Sequence, residues 1–294
     1  MTLVEKLVQV SRVLTGRQDA GRNLTVYADD LFIVSYPRSG NNWTRFLIGN
    51  LIHPNEPVTF ANLERLVPEI YFNSDRQLRA LPRPRVFKSH EAFEPHYPHI
   101  VYVVRDPRDV AVSNYHHNQK AGNIPTDCKI EDFIPMFLAG RFDKKCGTWG
   151  DHVTSWLATR ENDPSFLLVR YEDLKVDPFT ELARVSRFLG QCGFPVAGES
   201  VHDLQQAVEL SSASRMRALE AIQGRDWTRS HYSRAKKPYL AVREALSGGW
   251  KSALPSHCVA QIEDHYGALM RKLGYEESKQ IGREAIKRGK AKAM

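Results

Sequence analysis

Short apolar runs alternate with helical patterns along most of the chain. The runs at residues 31–36, 100–104 and 166–170 are rich in branched aliphatic side chains, and residues 86–88 form a shorter fourth run. Continuous apolar runs of this length are typical of parallel strands buried on both faces. Polar loops and apolar residues at helical spacing follow them, so the pattern predicts an α/β fold with a mostly parallel central sheet flanked by helices.

The two ends of the chain differ from its middle. Apolar residues recur at helical spacing near the start, which predicts an amphipathic N-terminal helix within residues 1–25. The last segment, residues 279–294, holds six Lys or Arg and one Glu, and we interpret it as a basic C-terminal tail. Because no internal repeat or low-complexity linker lies between the two ends, we predict a single domain over residues 1–294.

Composition narrows the class of protein. The net charge is +7, of which the basic tail carries +5, so the rest of the chain is close to neutral and we expect no nucleic-acid partner. No apolar run is long enough for a transmembrane segment, although the N-terminal helix leaves peripheral membrane contact open. The four cysteines are scattered without metal-ligand spacing, which favours reduced thiols, a cytoplasmic location and no bound metal.

The segment from Tyr36 to Trp43 follows the first predicted strand and precedes a predicted helix. Gly40 allows the backbone to approach a ligand closely, and the start of the helix offers unpaired N–H groups to an anion. Arg38 adds a planar guanidinium suited to phosphate or sulfate oxygens. From the residues alone, the segment is either an anion-binding loop or an ordinary strand-to-helix turn. Its other polar side chains are Ser39, Asn41 and Asn42.

Several segments between residues 31 and 275, taken in order, resemble those of one enzyme family. Residues 36–43 read Tyr-Pro-Arg-Ser-Gly-Asn-Asn-Trp, similar to the Tyr-Pro-Lys-Ser-Gly-Thr-Thr-Trp loop of sulfotransferases that use 3′-phosphoadenosine 5′-phosphosulfate (PAPS). Arg38 stands where the family usually has lysine, and because arginine keeps its proton near neutral pH, we expect a purely electrostatic clamp. The resemblance implies a P-loop-like phosphosulfate-binding loop, with the donor bound by Arg38, Ser39, Gly40, Asn41, Asn42 and Trp43.

Other segments resemble the parts of that family that bind the donor nucleotide. The stretch Arg-Asp-Pro-Arg-Asp-Val-Ala-Val-Ser from Arg105 to Ser113 resembles the 3′-phosphate segment, so both of these residues are predicted to bind that phosphate. Tyr171 begins a Tyr-Glu-Asp-Leu match, which implies a position near the nucleotide. Ser211 begins a stretch similar to Thr-Ser-Phe-x-x-Met beside the adenine, and Arg243 begins one similar to Arg-Lys-Gly-x-x-Gly-Asp-Trp-Lys.

The resemblance also implies a reaction. A sulfuryl group passes from PAPS to an acceptor hydroxyl by in-line displacement, and adenosine 3′,5′-bisphosphate (PAP) leaves. The Lys-Ser-His segment ending at His90 resembles the family's Lys-x-His, and His90 is the predicted general base because imidazole accepts a proton near neutral pH. Lys88 and Arg38 are predicted to stabilise the transferring group and the leaving phosphate. Glu91 and Glu94 are the rival bases.

The acceptor is expected to be a small molecule with a hydroxyl group, such as a phenol, a sterol, a lipid-like alcohol or a sugar. Three histidines are candidates for lining its pocket, namely His116, His117 and His152. The aromatic candidates for an apolar pocket are Phe60, Tyr71, Phe72, Phe93, Phe137, Phe142 and Trp227.

Two other functions stay open at the level of the sequence. A P-loop kinase-like nucleotide enzyme would need a Walker Lys-Ser/Thr pair and a carboxylate for Mg²⁺, and the Gly-x-x-x-x-Gly-Lys-Ser/Thr spacing is absent from the chain. A non-catalytic protein that binds sulfonucleotides or polyanions is disfavoured by the presence of Lys88 and His90. The dimerisation pattern of the family's animal cytosolic members is not matched after Lys251, so that dimer is not predicted.

Overall fold

A parallel sheet lies at the centre of the residues that the structure, a computed structural model, describes: 19–143, 145–196, 200–231 and 247–275. Its strands are β1 (Leu31–Ser35), β2 (Val86–Ser89), β3 (His99–Val104) and β4 (Phe166–Arg170). Their order in the sheet is β2-β1-β3-β4, and all three pairings are parallel. The predicted α/β fold with a parallel central sheet is confirmed.

Helices connect β1 to β2 and β3 to β4, as the sequence predicts, whereas residues 90–98 between β2 and β3 contain no helix. Up to β4 they are α1 (Asn41–Ile52), α2 (Leu63–Leu66), α3 (Asp75–Arg79), α4 (Pro107–Ala121), α5 (Ile130–Leu138) and α6 (Trp149–Arg160). After β4 they are α7 (Tyr171–Val176), α8 (Pro178–Gln191), α9 (Val201–Leu210), α10 (Ala213–His231), α11 (Trp250–Ala253) and α12 (Ser256–Lys272).

Both predicted terminal segments fall mainly or wholly outside the described residues. Residues 1–18 of the N-terminal helix are not described, and the short described part holds a 3₁₀ turn at Gly21–Asn23. The basic tail at residues 279–294 is outside the described ranges. The helix, the tail and the single domain over the whole chain therefore stay predictions.

Helices cover the sheet on both faces. Successive residues of a strand point to opposite sides, so Phe32 and Val34 face one layer while Leu31 and Ile33 face the other. The first layer contains residues of α4, α5, α6 and α12, and the second contains residues of α1, α8 and α9. This double burial explains why the strands are continuous apolar runs.

Local geometry determines where two helices begin. The sequence predicts a helix from Trp43, but α1 begins two residues earlier because Gly40, with φ 99°, ends the preceding loop in the left-handed region. α4 begins after Asp106, whose side chain accepts a hydrogen bond from the N–H of Arg108, and Pro107 occupies its first position. Both helices therefore start close to the carboxyl ends of strands, with five residues between β1 and α1 and two residues between β3 and α4.

A buried ion pair lies at the amino ends of β1 and β2, opposite the carboxyl ends from which the loops extend. Arg85, just before β2, donates from Nε to Oδ1 of Asp30, just before β1, over 2.8 Å, and neither side chain has exposed surface. The guanidinium also donates to the carbonyl oxygens of Leu78 and Thr25. The pair joins the starts of two neighbouring strands, far along the strands from the loops at their carboxyl ends.

We expect Asp30→Asn to lower the free energy of unfolding by about 3 kcal/mol, because it leaves the buried guanidinium of Arg85 without a charged partner. The measurement is urea unfolding followed by circular dichroism. Asp29→Asn, which breaks the exposed pair with Arg83, serves as the control and should leave the midpoint unchanged. Equal midpoints for Asp30→Asn and the wild type would contradict the expectation.

Candidate active site

The loop between β1 and α1 has two residues in the left-handed region of the backbone map. Arg38 has φ 71° and Gly40 has φ 99°. At Gly40 a Cβ atom would lie 2.4 Å from Cδ2 of Tyr171, so only glycine fits beneath that ring. The close approach brings the loop against the residue that follows β4.

Buried polar atoms of this loop lack protein partners. Within the described ranges, Oγ of Ser39 and Oδ1 of Asn41 are buried and have no hydrogen-bond partner. α1 starts at Asn41 without a side-chain cap for its first N–H groups. Buried polar groups are normally hydrogen-bonded, so this arrangement fits an anionic ligand such as the phosphosulfate of PAPS.

The two asparagines of the loop also have structural contacts. Nδ2 of Asn41 donates to the carbonyl oxygen of Ile33 over 3.1 Å and to Oγ of Ser35 over 3.0 Å. Oδ1 of Asn42 accepts a hydrogen bond from Nη1 of Arg45 over 3.3 Å. Asn41 therefore holds the loop to β1, and Asn42 connects it to a buried arginine.

Aromatic and cationic side chains from separate segments meet beside the loop. The guanidinium carbon of Arg105 lies 4.3 Å from the centre of the Tyr171 ring, and Nη1 of Arg105 donates to the carbonyl oxygen of Arg38 over 3.3 Å. The rings of Trp43 and Tyr171 meet edge to face with centroids 5.7 Å apart. The structure thus brings together four residues that the sequence singled out in three different motifs.

The two serines outside the loop that were predicted to contact the donor have different positions. Oγ of Ser113 accepts a hydrogen bond from Nε of Arg38 over 3.3 Å, so α4 presents this serine to the loop. Ser211 has no exposed surface, and its Oγ accepts a hydrogen bond from Asn50 of α1 over 3.0 Å. Its carbonyl oxygen accepts from Nε1 of Trp43 over 2.9 Å. In this structure Ser211 therefore positions Trp43, and its side chain contacts α1 instead of the loop.

Arg243 lies outside the described residues, but the segment that follows it is anchored next to Arg105. The carboxylate of Asp109 accepts hydrogen bonds from the backbone N–H of Gly248 over 2.7 Å and of Trp250 over 3.0 Å. Asp109 lies in the first turn of α4, with Oδ2 3.8 Å from Nη2 of Arg105. Sequence reasoning missed Asp109, although an acidic residue in the first turn of a helix was its local signal.

His90 follows β2, and the backbone of β1 sets the orientation of its ring. Nδ1 lies 2.7 Å from the carbonyl oxygen of Ser35. A carbonyl oxygen can only accept, so Nδ1 carries the proton and Nε2 keeps its lone pair. Burial lowers the pKa of His90 well below 6.5, and the nearby charge of Lys88 lowers it further. A neutral imidazole with an unprotonated Nε2 is the form that a general base requires.

A second histidine supports the first through the backbone. Nε2 of the buried His152 donates to the carbonyl oxygen of His90 over 3.2 Å, and its Nδ1 accepts from the hydroxyl of Tyr102 over 2.8 Å. Burial lowers the pKa of His152 to about 4. The prediction that His152 lines the acceptor pocket is wrong, because the ring has no exposed surface and both nitrogens have protein partners. His116 and His117 lie on α4 and stay candidates.

Lys88 is buried near the end of β2 and forms an ion pair. Its Nζ donates to Oε2 of Glu69 over 2.6 Å. Burial lowers the pKa of Lys88, while the carboxylate of Glu69 acts in the opposite direction. Sequence reasoning missed Glu69, since no local pattern marks a carboxylate in the loop between α2 and α3 as the partner of a residue in β2.

The two rival carboxylates are engaged in other contacts. Glu91 accepts hydrogen bonds from the hydroxyl of Tyr71 over 2.9 Å and from Nε of Arg22. Glu94 accepts one from Nδ1 of His96 over 2.6 Å. Neither contact involves the backbone of β1, whereas the ring of His90 is oriented by the carbonyl oxygen of Ser35 at the end of that strand.

A partly buried carboxylate lies against residues 36–40, the donor loop between β1 and α1. Oδ2 of Asp143 accepts hydrogen bonds from the hydroxyl of Tyr36 over 3.1 Å and from Nδ2 of Asn114 over 2.8 Å. Burial raises the pKa of Asp143, and these hydrogen bonds and the charge of Arg38 oppose that effect. Sequence reasoning missed Asp143, which joins the segment before α6 to the loop.

The predicted aromatic residues do not form one acceptor pocket. Phe60 packs against Phe46 with centroids 5.1 Å apart, in the layer on the opposite face of the sheet from Tyr36, so its assignment was wrong. Phe137 is buried in the core, and the side chain of Trp227 lies outside the described part of the chain. The aromatic candidates that keep part of their surface exposed are Tyr71, Phe72, Phe93 and Phe142.

The described residues also bear on metal and membrane binding. In those ranges no group of three or more His, Cys, Asp or Glu side chains is arranged to hold a metal ion. No helix within the same ranges combines the length and apolar character needed to cross a bilayer. All four cysteines are free thiols.

Known proteins match the chain in sequence and in fold. Residues 28–274 match the model of the sulfotransferase domain. Sulfotransferase 2B1 of Mus musculus is 30% identical over 76% of this chain and 66% of its own length. Cytosolic sulfotransferase 12 of Arabidopsis thaliana is 29% identical over 80% of this chain and 75% of its own length. The crystal structure of mouse sulfotransferase SULT7A1 complexed with PAP is similar in fold, with a TM-score of 0.67 and 24% sequence identity. The match covers 92% of this chain and 92% of that one.

Sequence and structure lead to the same assignment. The family match spans both the donor loop and the segment anchored by Asp109. The structural neighbour supports the same fold, and the loop, the arginines and the aromatic rings converge at one edge of the sheet. The chain therefore belongs to the sulfotransferase family, and it is a PAPS-dependent sulfotransferase.

Proposed function

We propose that this sulfotransferase transfers a sulfuryl group from PAPS to the hydroxyl of a small acceptor by in-line displacement, with His90 as the general base. One observation carries the proposal: Nδ1 of His90 donates to the carbonyl oxygen of Ser35, which leaves Nε2 free to accept a proton. Ser35 is the last residue of β1 and leads into the donor loop. The base and the donor loop therefore share one strand end.

The donor is held by the residues that converge on this edge. The 5′-phosphosulfate lies at Ser39 and the start of α1, where buried polar atoms lack partners and helix N–H groups attract anions. Arg105 and Ser113 bind the 3′-phosphate together with Arg243. Trp43 and Tyr171 give aromatic surface for the nucleotide, and their ring contact beside Arg105 supports this position.

The transfer conserves atoms and charge. A bond forms between the acceptor oxygen and sulfur as the bond from sulfur to the oxygen of the 5′-phosphate breaks. The hydroxyl proton passes to Nε2 of His90, and PAP leaves with the electron pair of the broken bond. Arg38 stabilises the negative charge on the leaving phosphate without giving up a proton, and Lys88 stabilises the transferring group.

The proposal of a small hydroxylated acceptor is supported by the small molecules bound in solved structures of this fold. Retinol dehydratase has been solved with retinol and PAP, and also with androsterone and PAP, and both small molecules are alcohols. The partly exposed rings of Tyr71, Phe93 and Phe142 give apolar surface for such a molecule. The acceptor class is tested by incubating the enzyme with radiolabelled PAPS and a mixed metabolite extract and identifying the labelled product by mass.

We further propose a cytoplasmic location. The four cysteines are free thiols, as expected in a reducing compartment, and one relative is named a cytosolic sulfotransferase.

His90→Ala should abolish transfer while leaving the affinity for PAP nearly intact, because it removes the proton acceptor and no predicted donor contact. Transfer is measured with radiolabelled PAPS, and PAP binding is measured by calorimetry. His96→Ala is the matched control, because His96 is exposed and should retain full activity. Turnover of His90→Ala within about tenfold of the wild type would contradict the assignment, since general bases contribute about a hundredfold or more.

The pH dependence of kcat/KM should show that His90 acts as a base whose pKa lies below the ordinary value of a histidine. The base acts only when unprotonated, and burial moves the pKa of His90 well below 6.5, so activity should be lost only as the pH falls through that lowered value. We therefore expect a flat profile from about pH 8 down to 6.5 and a decline below it. Half-loss of kcat/KM at or above pH 6.5 would show that the pKa of the base is unshifted or raised instead.

Arg105→Ala should weaken PAP binding and reduce the preference for PAP over AMP, because the guanidinium is proposed to bind the phosphate that AMP lacks. Both affinities are measured by calorimetry at constant salt. Loss of a charged hydrogen bond predicts a weakening of roughly tenfold or more for PAP and much less for AMP. An unchanged ratio of the two affinities would refute the role.

A further inference from the structure

A buried ion pair near the end of β2 connects Lys88 to Glu69, in the loop between α2 and α3. The side chains of Lys88 and Glu69 are only 9% and 7% exposed, and Nζ lies 2.6 Å from Oε2. The backbones are also joined, since the N–H of Lys88 donates to the carbonyl of Pro68 and its carbonyl accepts from the N–H of Ile70. The main chain therefore holds the two charged side chains next to each other.

Glu69 is connected in turn to the start of α1. Its backbone N–H donates to Oε2 of Glu64 over 2.8 Å, and Oε1 of Glu64 accepts from Nη2 of Arg45 over 2.6 Å. Nη1 of the fully buried Arg45 donates to Oδ1 of Asn42, in the first turn of α1. A series of hydrogen bonds through Arg45, Glu64 and Glu69 thus connects the start of α1 to Lys88.

The charges in this path compensate one another. Two cations, Lys88 and Arg45, face two anions, Glu64 and Glu69. Burial lowers the pKa of Lys88 and Arg45 adds to that effect, while the two glutamates raise it. The nearby His90 experiences the charge of the same lysine. Without the carboxylate at position 69, burial would favour the neutral amine.

We propose that Glu69 is a positioning residue for sulfuryl transfer, which keeps the ammonium group of Lys88 charged and in a fixed place relative to the donor loop. The inference rests on the proposed function, because it gives Lys88 the task of stabilising the transferring group. An ion pair that serves only folding would lower stability when broken, but it would not set the pH dependence of the reaction.

Glu69→Gln tests this directly, because it keeps the size of the side chain and removes its charge. With radiolabelled PAPS and the metabolite extract, we expect kcat to fall about tenfold or more while the Kd for PAP stays within about threefold. The basic limb of the kcat profile should move to lower pH, since Lys88 loses the carboxylate that opposes its desolvation. Glu69→Asp, which retains the charge, should restore most of the rate and the position of that limb.

A double-mutant cycle with Lys88→Met determines whether Glu69 acts through the lysine. In the Lys88→Met background, Glu69→Gln should change kcat by less than about twofold, because no ammonium group is left to hold. Full additivity of the two losses would overturn the proposal. If Glu69→Gln alone does not fold, a loss larger than about twofold in the double variant relative to Lys88→Met still overturns the proposal.

Asp30→Asn is the matched control, because it breaks another buried ion pair, which lies at the start of the same strand and away from its carboxyl end. It should lower stability and leave the kcat profile at the wild-type position. A shift of the basic limb in this variant would contradict the inference, as would wild-type kcat and profile in Glu69→Gln. Absence of transfer by the wild-type enzyme would instead contradict the proposed function itself.

Discussion

β1 pairs in parallel with both β2 and β3, and this pairing determines where the chemistry lies. Val34 lies beside Ser89 in β2, and Ser35 lies beside Val103 in β3, so the three strands end at nearly the same level. Residues 36–40, the proposed base His90 and the proposed nucleotide ligand Arg105 each follow one of these ends. Because parallel strands direct their carboxyl ends to one edge, residues far apart in the chain come within hydrogen-bonding distance there.

Compensation of buried charge is the second requirement of this architecture. Arg108 at the start of α4 is paired with Asp106 and Glu263 over 2.6 and 2.7 Å, and the lysine at the end of β2 is paired with a carboxylate from another loop. A buried charge that loses its partner costs several kcal/mol, so each cation requires a nearby anion, and Glu263 and Glu69 supply one from a different segment. These pairs therefore connect elements that apolar packing alone would leave free to shift against one another.

The structure brings residues of the local motifs together, whereas it separates some residues that were chosen only by type. Arg38, Trp43, Arg105 and Tyr171 stand at fixed offsets from buried strands, and the parallel sheet brought them together beside the donor loop. Phe60 and His152 were chosen for their chemistry alone, and the structure buries one on the other face of the sheet and the other behind the base. Ser211 lies close to Trp43, as expected, but its buried hydroxyl is hydrogen-bonded to Asn50 of α1 and not directed toward the loop.

The sequence by itself determined the strand-loop-helix order and the family, and it supplied the candidate donor-binding residues, because these depend on apolar periodicity and on spacing within short segments. Only the tertiary structure decided the tautomer of His90, whose partner Ser35 is 55 residues away, and the role of Asp109, whose partner Gly248 is 139 residues away. It also decided that the lysine before the base is paired with Glu69. Such contacts depend on which strand ends and loops the sheet brings together, and no local pattern in the chain records that.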